Sequence, residues 1–382
     1  MLIKDLLVAL LGPATTFKPG PTEQTDCLAA EALQNARDLQ HETRSYGRDQ
    51  SNGYDGSTCT PENLLVRREW DAFSRGEKLA YIDAVKCLMS LPAQSSDFAP
   101  GARNRWDDWS AGNFLHWHRY FTFLFERALR NECGYTGLQP YLNWPRYAHD
   151  LHNAPVFDGS DTSLGNNGAY DPKHNGTNIP SNAFPYITLP AEGGGGCITS
   201  GPFANTTVRL GSVAPALSDV PANPLANGLG YNPRCIRRDI SGTAAKQYLT
   251  DTSVYTLLTT SPNISSFQTT LQGDFPNGYL GIHTAGHCGV GGDPGGDLFA
   301  STGDPYFFLH HAAIDRAWWI WQNLEPNGTR YREIAGTLTT MNTPPSRNTS
   351  LEDWLDMGPL GDSIRIAEGV DTLKGPYCYV YE

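Results

Sequence analysis

Apolar residues recur at helical spacing in four stretches of the chain, and between them the pattern dissolves into glycine, proline and small polar residues. From Glu62 to Leu91, Leu65, Trp70, Phe73, Leu79, Ile82, Val85 and Leu88 keep roughly the helical period, with a break expected near Gly76. The clearest pattern runs from Phe114 to Asn131. There Phe114, His118, Phe121, Phe125 and Ala128 follow at steps of four, three, four and three, and Cys133-Gly134 supplies a glycine stop. Gly281 to Gly289 reads as a short helical piece. Asp304 to Asn323 reads as a long helix, with Asp304 as N-cap and Pro305 at the first helical position. Asn153 to Gly242 shows no sustained period and is expected to be a long loop around the helical core, stapled by Cys197 and Cys235; Gly291 to Gly303 is a second loop. The pattern predicts a mainly α protein, one domain over residues 21–382 with a short C-terminal segment of mixed type. Within residues 1–20, the apolar run Leu6 to Leu11 behind Lys4 reads as an imperfect signal segment, too short to span a bilayer.

Composition narrows the function classes. Of 382 residues, 39% are hydrophobic and 18% charged, which excludes a disordered polyelectrolyte and a membrane bundle. The net charge of -12 repels phosphate backbones, which argues against nucleic acid as a partner, and no stretch reads as a transmembrane helix, so no membrane partner is expected. Eight cysteines contain no CxxC pair, against a thiolate zinc knuckle, and allow up to four disulfides. Five N-x-[ST] sequons, at Asn175, Asn205, Asn263, Asn327 and Asn348, sit in turn-rich stretches. Together they predict secretion, with most cysteines oxidised.

The candidate chemistry lies in the histidines. His283 and His287 are four apart, so a helix carries both imidazoles on one face, able to grip one metal. Thr284 stands where a zinc protease of this pattern needs glutamate, which removes a hydrolytic reading. His118 lies on an apolar helix face, where a buried imidazole needs a partner; such a residue is more often a hydrogen-bonded core histidine than a ligand. His116 points elsewhere. In the segment Asp304 to Arg316, both His310 and His311 fall on apolar faces, and periodicity alone does not choose between them.

The text Gly112-Asn113-Phe114-Leu115-His116-Trp117-His118-Arg119-Tyr120-Phe121, with His283-x-x-x-His287, Gly291-Gly292-Asp293-Pro294-Gly295-Gly296-Asp297 and the block Asp304 to Arg316, resembles the tyrosinase/catechol-oxidase family of type-3 copper proteins, in particular its short secreted fungal members. The resemblance implies a four-helix core holding two coppers, each on three histidines, with dioxygen bound between them. It implies His283, His287 and His311 on the second copper, His118 on the first, Phe307 as the floor of the site, and Arg119 and Asp315 as the pair that orients the shell. Neutral imidazole suits both copper oxidation states, and a bundle core presets ligand directions.

One departure is large. The family's segment with the other two ligands of the first copper lies upstream of His118, and here Asp107-Asp108-Trp109-Ser110-Ala111 runs straight into Gly112-Asn113-Phe114-Leu115. His41, His116, His149 and His152 have no family position as ligands. The leading reading is therefore an oxidase of o-diphenols, acting on small phenolic substrates and dioxygen. A non-enzymatic homologue with one copper is the alternative, and a reversible oxygen carrier the third. Preference for diphenols rests on an expected lack of a base: resembling tyrosinases often carry a carboxylate shortly before the first ligand of the second copper and an amide just after it. Tyr279, Leu280 and Thr284 stand there, none a base near neutral pH, with Asp293 and Asp297 as the residues a loop would have to deliver.

Overall fold

A computed structural model of the chain describes residues 17–45 (side chains to residue 39), 59–109, 115–180, 186–339 and 342–382. Residues 1–16 of the expected signal segment, Gly112 to Phe114 of the first histidine segment and the side chain of His41 lie outside that description. The described residues form eight α-helices: α1 (Glu23–Ser45), α2 (Arg75–Ser90), α3 (Leu115–Cys133), α4 (Gly242–Tyr248), α5 (Asp251–Thr260), α6 (Ile264–Gln272), α7 (Gly281–Val290) and α8 (Tyr306–Asn323). No described helix is long and apolar enough to cross a membrane.

The centre is α8, every residue of which is buried. It packs against α1, α3, α5 and α7, and α2 lies behind α3. Its N-terminus begins at Tyr306, with Pro305 as the cap position. The Asp304 carboxylate accepts the Tyr306 N–H (3.0 Å) and pairs with the buried Arg238 (2.7 Å), so it closes the helix start and ties down the long loop together. The expected stop of α3 holds: the helix ends at Cys133, and Gly134 takes φ +65°.

The first expected helix is corrected at its N-terminal half. Helix α2 starts only after Ser74, whose hydroxyl accepts the Glu77 N–H while the Glu77 carboxylate accepts the Ser74 N–H. Upstream, Leu65–Arg67 is a strand paired in parallel with Tyr379–Tyr381, and Trp70–Ala72 is a 3-10 turn. A pairing more than three hundred residues away in sequence overrides the local helical spacing. It is locked by the buried Arg67, which bonds Glu126 (2.5 Å) and stacks on the Tyr379 ring (3.7 Å), and by the Cys59–Cys378 disulfide.

Four helices lack any counterpart in the sequence reading. The apolar side chains that helix α1 buries fully among the described residues are the small Ala29, Ala32 and Ala36, a stripe too weakly apolar to stand out. Helices α4 to α6 are short, and their signals are the caps Ser241, Thr250 and Asn263 rather than a long apolar face.

The long middle segment has no α-helix among its described residues before α4. It forms short two-stranded ladders, 168–170 with 195–198, 177–179 with 187–189, and 207–208 with 234–235. The Cys197–Cys235 disulfide staples it, and Cys87–Cys133 joins α2 to α3. Three disulfides form among the described residues rather than four: Cys27 is exposed and free, and Cys288, half-buried, is free as well.

Candidate metal centre

Helices α7 and α8 bring four imidazoles to one place. His283, His287, His310 and His311 each offer a ring nitrogen, and these atoms lie within 4.8 Å of one another; no other such group of three or more histidine, cysteine or acidic side chains occurs among the described residues. Close approach of the two helices requires Gly286, because a Cβ there would overlap the His310 ring.

Hydrogen bonding separates the four. His310 is spent on the protein: its Nδ1 accepts the Trp144 indole N–H (3.1 Å), and its Nε2 donates to the His283 carbonyl (3.1 Å). His287 donates from Nδ1 to the Gly295 carbonyl (3.1 Å), which leaves Nε2 as a lone pair. That Nε2 lies 3.2 Å from Nε2 of His311. If His311 carries its proton on Nδ1, two lone pairs face each other. If it carries the proton on Nε2, a lone pair is stranded on Nδ1, which is buried without a partner among the described residues. A cation accepting both Nε2 lone pairs removes the conflict, and two ligands about 2 Å from one ion stand about 3 Å apart. His283 completes a triangle, its ring centre 4.9 Å from that of His287 and 5.3 Å from that of His311. The residues fit one three-imidazole copper.

Burial pushes the imidazoles of His283 and His311 well below their ordinary range, and that of His287 to about 4. All three are neutral at physiological pH, the form in which histidine ligates. The ring of Phe307, one turn before His311, stacks on it at 4.1 Å and lies about 6 Å from both His118 and His287.

His118 comes from α3 on the other side of His311, and the two rings stack in parallel (centres 4.1 Å, planes 15° apart). Ring lone pairs lie in the ring planes, so these two imidazoles do not converge on one ion. Arg119 turns away from the site. Its Nε donates to Asp315 (2.5 Å), its Nη1 to the Val370 carbonyl and its Nη2 to Gln322, and its guanidinium lies 3.7 Å above Trp318. Asp315 also accepts the hydroxyls of Tyr379 and Tyr381 (2.7 and 2.6 Å). Burial opposes ionisation of Asp315, but Arg119, Arg67 and the two tyrosines outweigh it and hold the carboxyl below its usual range. The Arg119–Asp315 pair thus sets how α3 and α8 lie together, and with them the spacing of His118 and His311.

The acids of the second loop are occupied elsewhere. Asp293 pairs with Arg234, and Asp297 accepts four backbone N–H groups, from Val213, Ala214, Phe299 and Ala300. Gly295, Trp144 and Gly286 shape the site yet had no signal of their own in the sequence, because each acts through backbone or packing contacts made only in the fold.

Fold and site together define a mainly helical protein whose packed core helices carry a histidine cluster able to hold a metal ion. Residues 99–324 match the common central domain of tyrosinase. The tyrosinase-like protein orsC of Emericella nidulans is 41% identical over 307 residues, 74% of this chain and 80% of that protein. N-acetyl-6-hydroxytryptophan oxidase ivoB of the same organism is 37% identical over 353 residues, 86% of this chain and 95% of that one. A variant of polyphenol oxidase from Thermothelomyces thermophila superposes with a TM-score of 0.85 at 41% identity, covering 95% of this chain and 98% of that one. The chain belongs to the tyrosinase family, whose members are copper-binding oxidoreductases.

Proposed function

We propose that the protein oxidises o-diphenols to o-quinones with dioxygen at a copper held by His283, His287 and His311, in preference to hydroxylating monophenols. The observation that carries this reading is a three-imidazole cluster over Phe307 with no unspent carboxylate beside it among the described residues. Copper held by His283, His287 and His311 would supply the redox chemistry between substrate and dioxygen. The chain's own part is to preset the ligands: the Gly295 carbonyl fixes the tautomer of His287, and Phe307 packs flat against His311.

The preference follows from the surroundings. Thr284 donates its hydroxyl to the Gln272 carbonyl, Leu280 is apolar and fully buried, and burial pushes the Tyr279 hydroxyl up. Asp293 and Asp297 are held as described. A monophenol, with a pKa of about 10, would have to lose its proton unaided. A catechol is more acidic and can present two oxygens, so it depends less on a base. Assaying copper-loaded protein with catechol beside tyramine tests this: catechol turnover exceeds that of tyramine, and equal turnover without a lag overturns the preference.

We read the protein as secreted. All five sequon asparagines are exposed, and three disulfides form, both in keeping with an oxidising secretory route. Glycosidase treatment of protein from a secreting host should lower its mass; unmodified protein with reduced cysteines in the cytosol would contradict the assignment.

A further inference from the structure

The family's paired coppers need six histidines, and the ligands of this chain do not fit that pair. Nine of its ten histidines have described side chains, and the tenth, at position 41, is located by its helix. His283, His287 and His311 make the triangle, and His310 is bonded through both nitrogens to Trp144 and the His283 backbone. His116, two residues before His118, turns its buried ring edge-on to Trp318 at 4.7 Å. His149 packs on Phe17, His152 faces Glu192, and His174 bonds Asp239 at 2.6 Å. Helix α1 runs alongside α8 from Asp26 beside Arg316 to Asn35 bonded to the Asn323 carbonyl. Position 41 therefore falls past the end of α8, while His311 lies three turns or more back toward its start.

The short connection between Trp109 and Leu115 adds nothing. Ser110 to Phe114 contain no imidazole, thiol or carboxylate. Both of its ends are anchored: Asp108 accepts the N–H groups of Gln94 and Ser95, and the buried Trp109 packs edge-on against Phe121 and Phe125. Among the described residues, His118, stacked on His311, is the one histidine outside the four-histidine cluster that packs against it from α3.

We propose that this chain holds a single, magnetically isolated copper and therefore reduces dioxygen by two electrons, to hydrogen peroxide, rather than by four, to water. The copper count rests on the reading that the imidazole triangle is the copper site; the peroxide product rests in addition on the oxidase reading. The overall balance is one catechol and one dioxygen giving one o-quinone and one hydrogen peroxide. The catechol gives up two electrons and two protons, and dioxygen takes both pairs. Reduction to water needs four electrons and hence two catechols per dioxygen; a pair of coppers would store two electrons at once for that reduction, whereas a lone copper would store one.

The experiment loads the full chain with cupric ion, removes the excess, and compares metal content with the double-integrated electron paramagnetic resonance signal. One copper per chain with one spin per copper is expected. His287→Ala should lose the copper and His118→Ala should keep it, with circular dichroism showing that both variants are folded. Two coppers per chain with little or no signal, or copper lost in His118→Ala, would overturn the single-copper assignment. Copper retained in folded His287→Ala would overturn the site itself. Oxygen uptake and peroxide are then measured against quinone formed. One dioxygen and one peroxide per quinone supports the proposal, and one dioxygen per two quinones without peroxide overturns it. A spin-visible single copper without catechol turnover would leave the copper count standing and overturn the oxidase reading.

Discussion

The Nε2 atoms of His287 and His311 face each other at 3.2 Å, while His310, adjacent to His311 in the chain, has both nitrogens bonded to the protein. Neighbours in sequence thus have different work. His311→Ala should abolish stoichiometric copper binding. His310→Ala should leave the three ligands in place but cost about 2–5 kcal/mol, because it opens a cavity and strands the Trp144 N–H and the His283 carbonyl. Metal analysis beside urea unfolding of the two variants checks this; copper loss confined to His310→Ala would reverse the assignment.

Gly286 tests the packing of α7 on α8. A methyl group there would overlap the His310 ring, so Gly286→Ala must move the ring or the helix. The expected cost is about 1–3 kcal/mol of stability in the metal-free protein, together with weaker copper retention. Thermal unfolding and competition with a chelator measure both.

Asp315 tests the buried ion cluster. Asp315→Asn leaves Arg119 and Arg67 without their shared counter-charge in the interior, and should cost about 3–5 kcal/mol. The carboxyl is held below its usual range, so the stability it adds is present above the ordinary carboxyl pKa of about 3.9 and is lost as pH falls through its lower folded value. The gap between the native and variant proteins should therefore be constant from neutral to mildly acid pH and close only in strong acid. Urea unfolding across that range decides it.

The C-terminal strand tests the long-range closure. Cys59–Cys378 spans 319 residues beside the strand pairing of Leu65–Arg67 with Tyr379–Tyr381. Cys378→Ser should cost about 2–5 kcal/mol and leave copper content unchanged, because no ligand lies on either strand. Under oxidising conditions the variant should unfold at the lower temperature, and under reducing conditions, which open all three disulfides, the two proteins should unfold together.

What the sequence determined by itself was what repeats locally. The apolar period of 114–131 and 304–323 and the four-residue step from His283 to His287 are properties of single helices, so α3, α7, α8 and the shared face of two ligands were legible. The specific block around His310-His311 carried the family resemblance. Other features depend on partners far away in the chain. Leu65–Arg67 keeps a helical spacing yet is a strand, because its partner is the C-terminus and Arg67 needs Glu126 and Asp315. Helix α1 buries alanines that signal nothing until α8 is laid beside them. The division of labour between His310 and His311 was open to periodicity, since both face apolar neighbours. Trp144 and the His283 carbonyl occupy both nitrogens of His310, while the Gly295 carbonyl holds His287 so that its Nε2 faces that of His311. Local order follows from spacing along the chain; the roles of the imidazoles follow from which hydrogen-bond partners the folded chain brings to them.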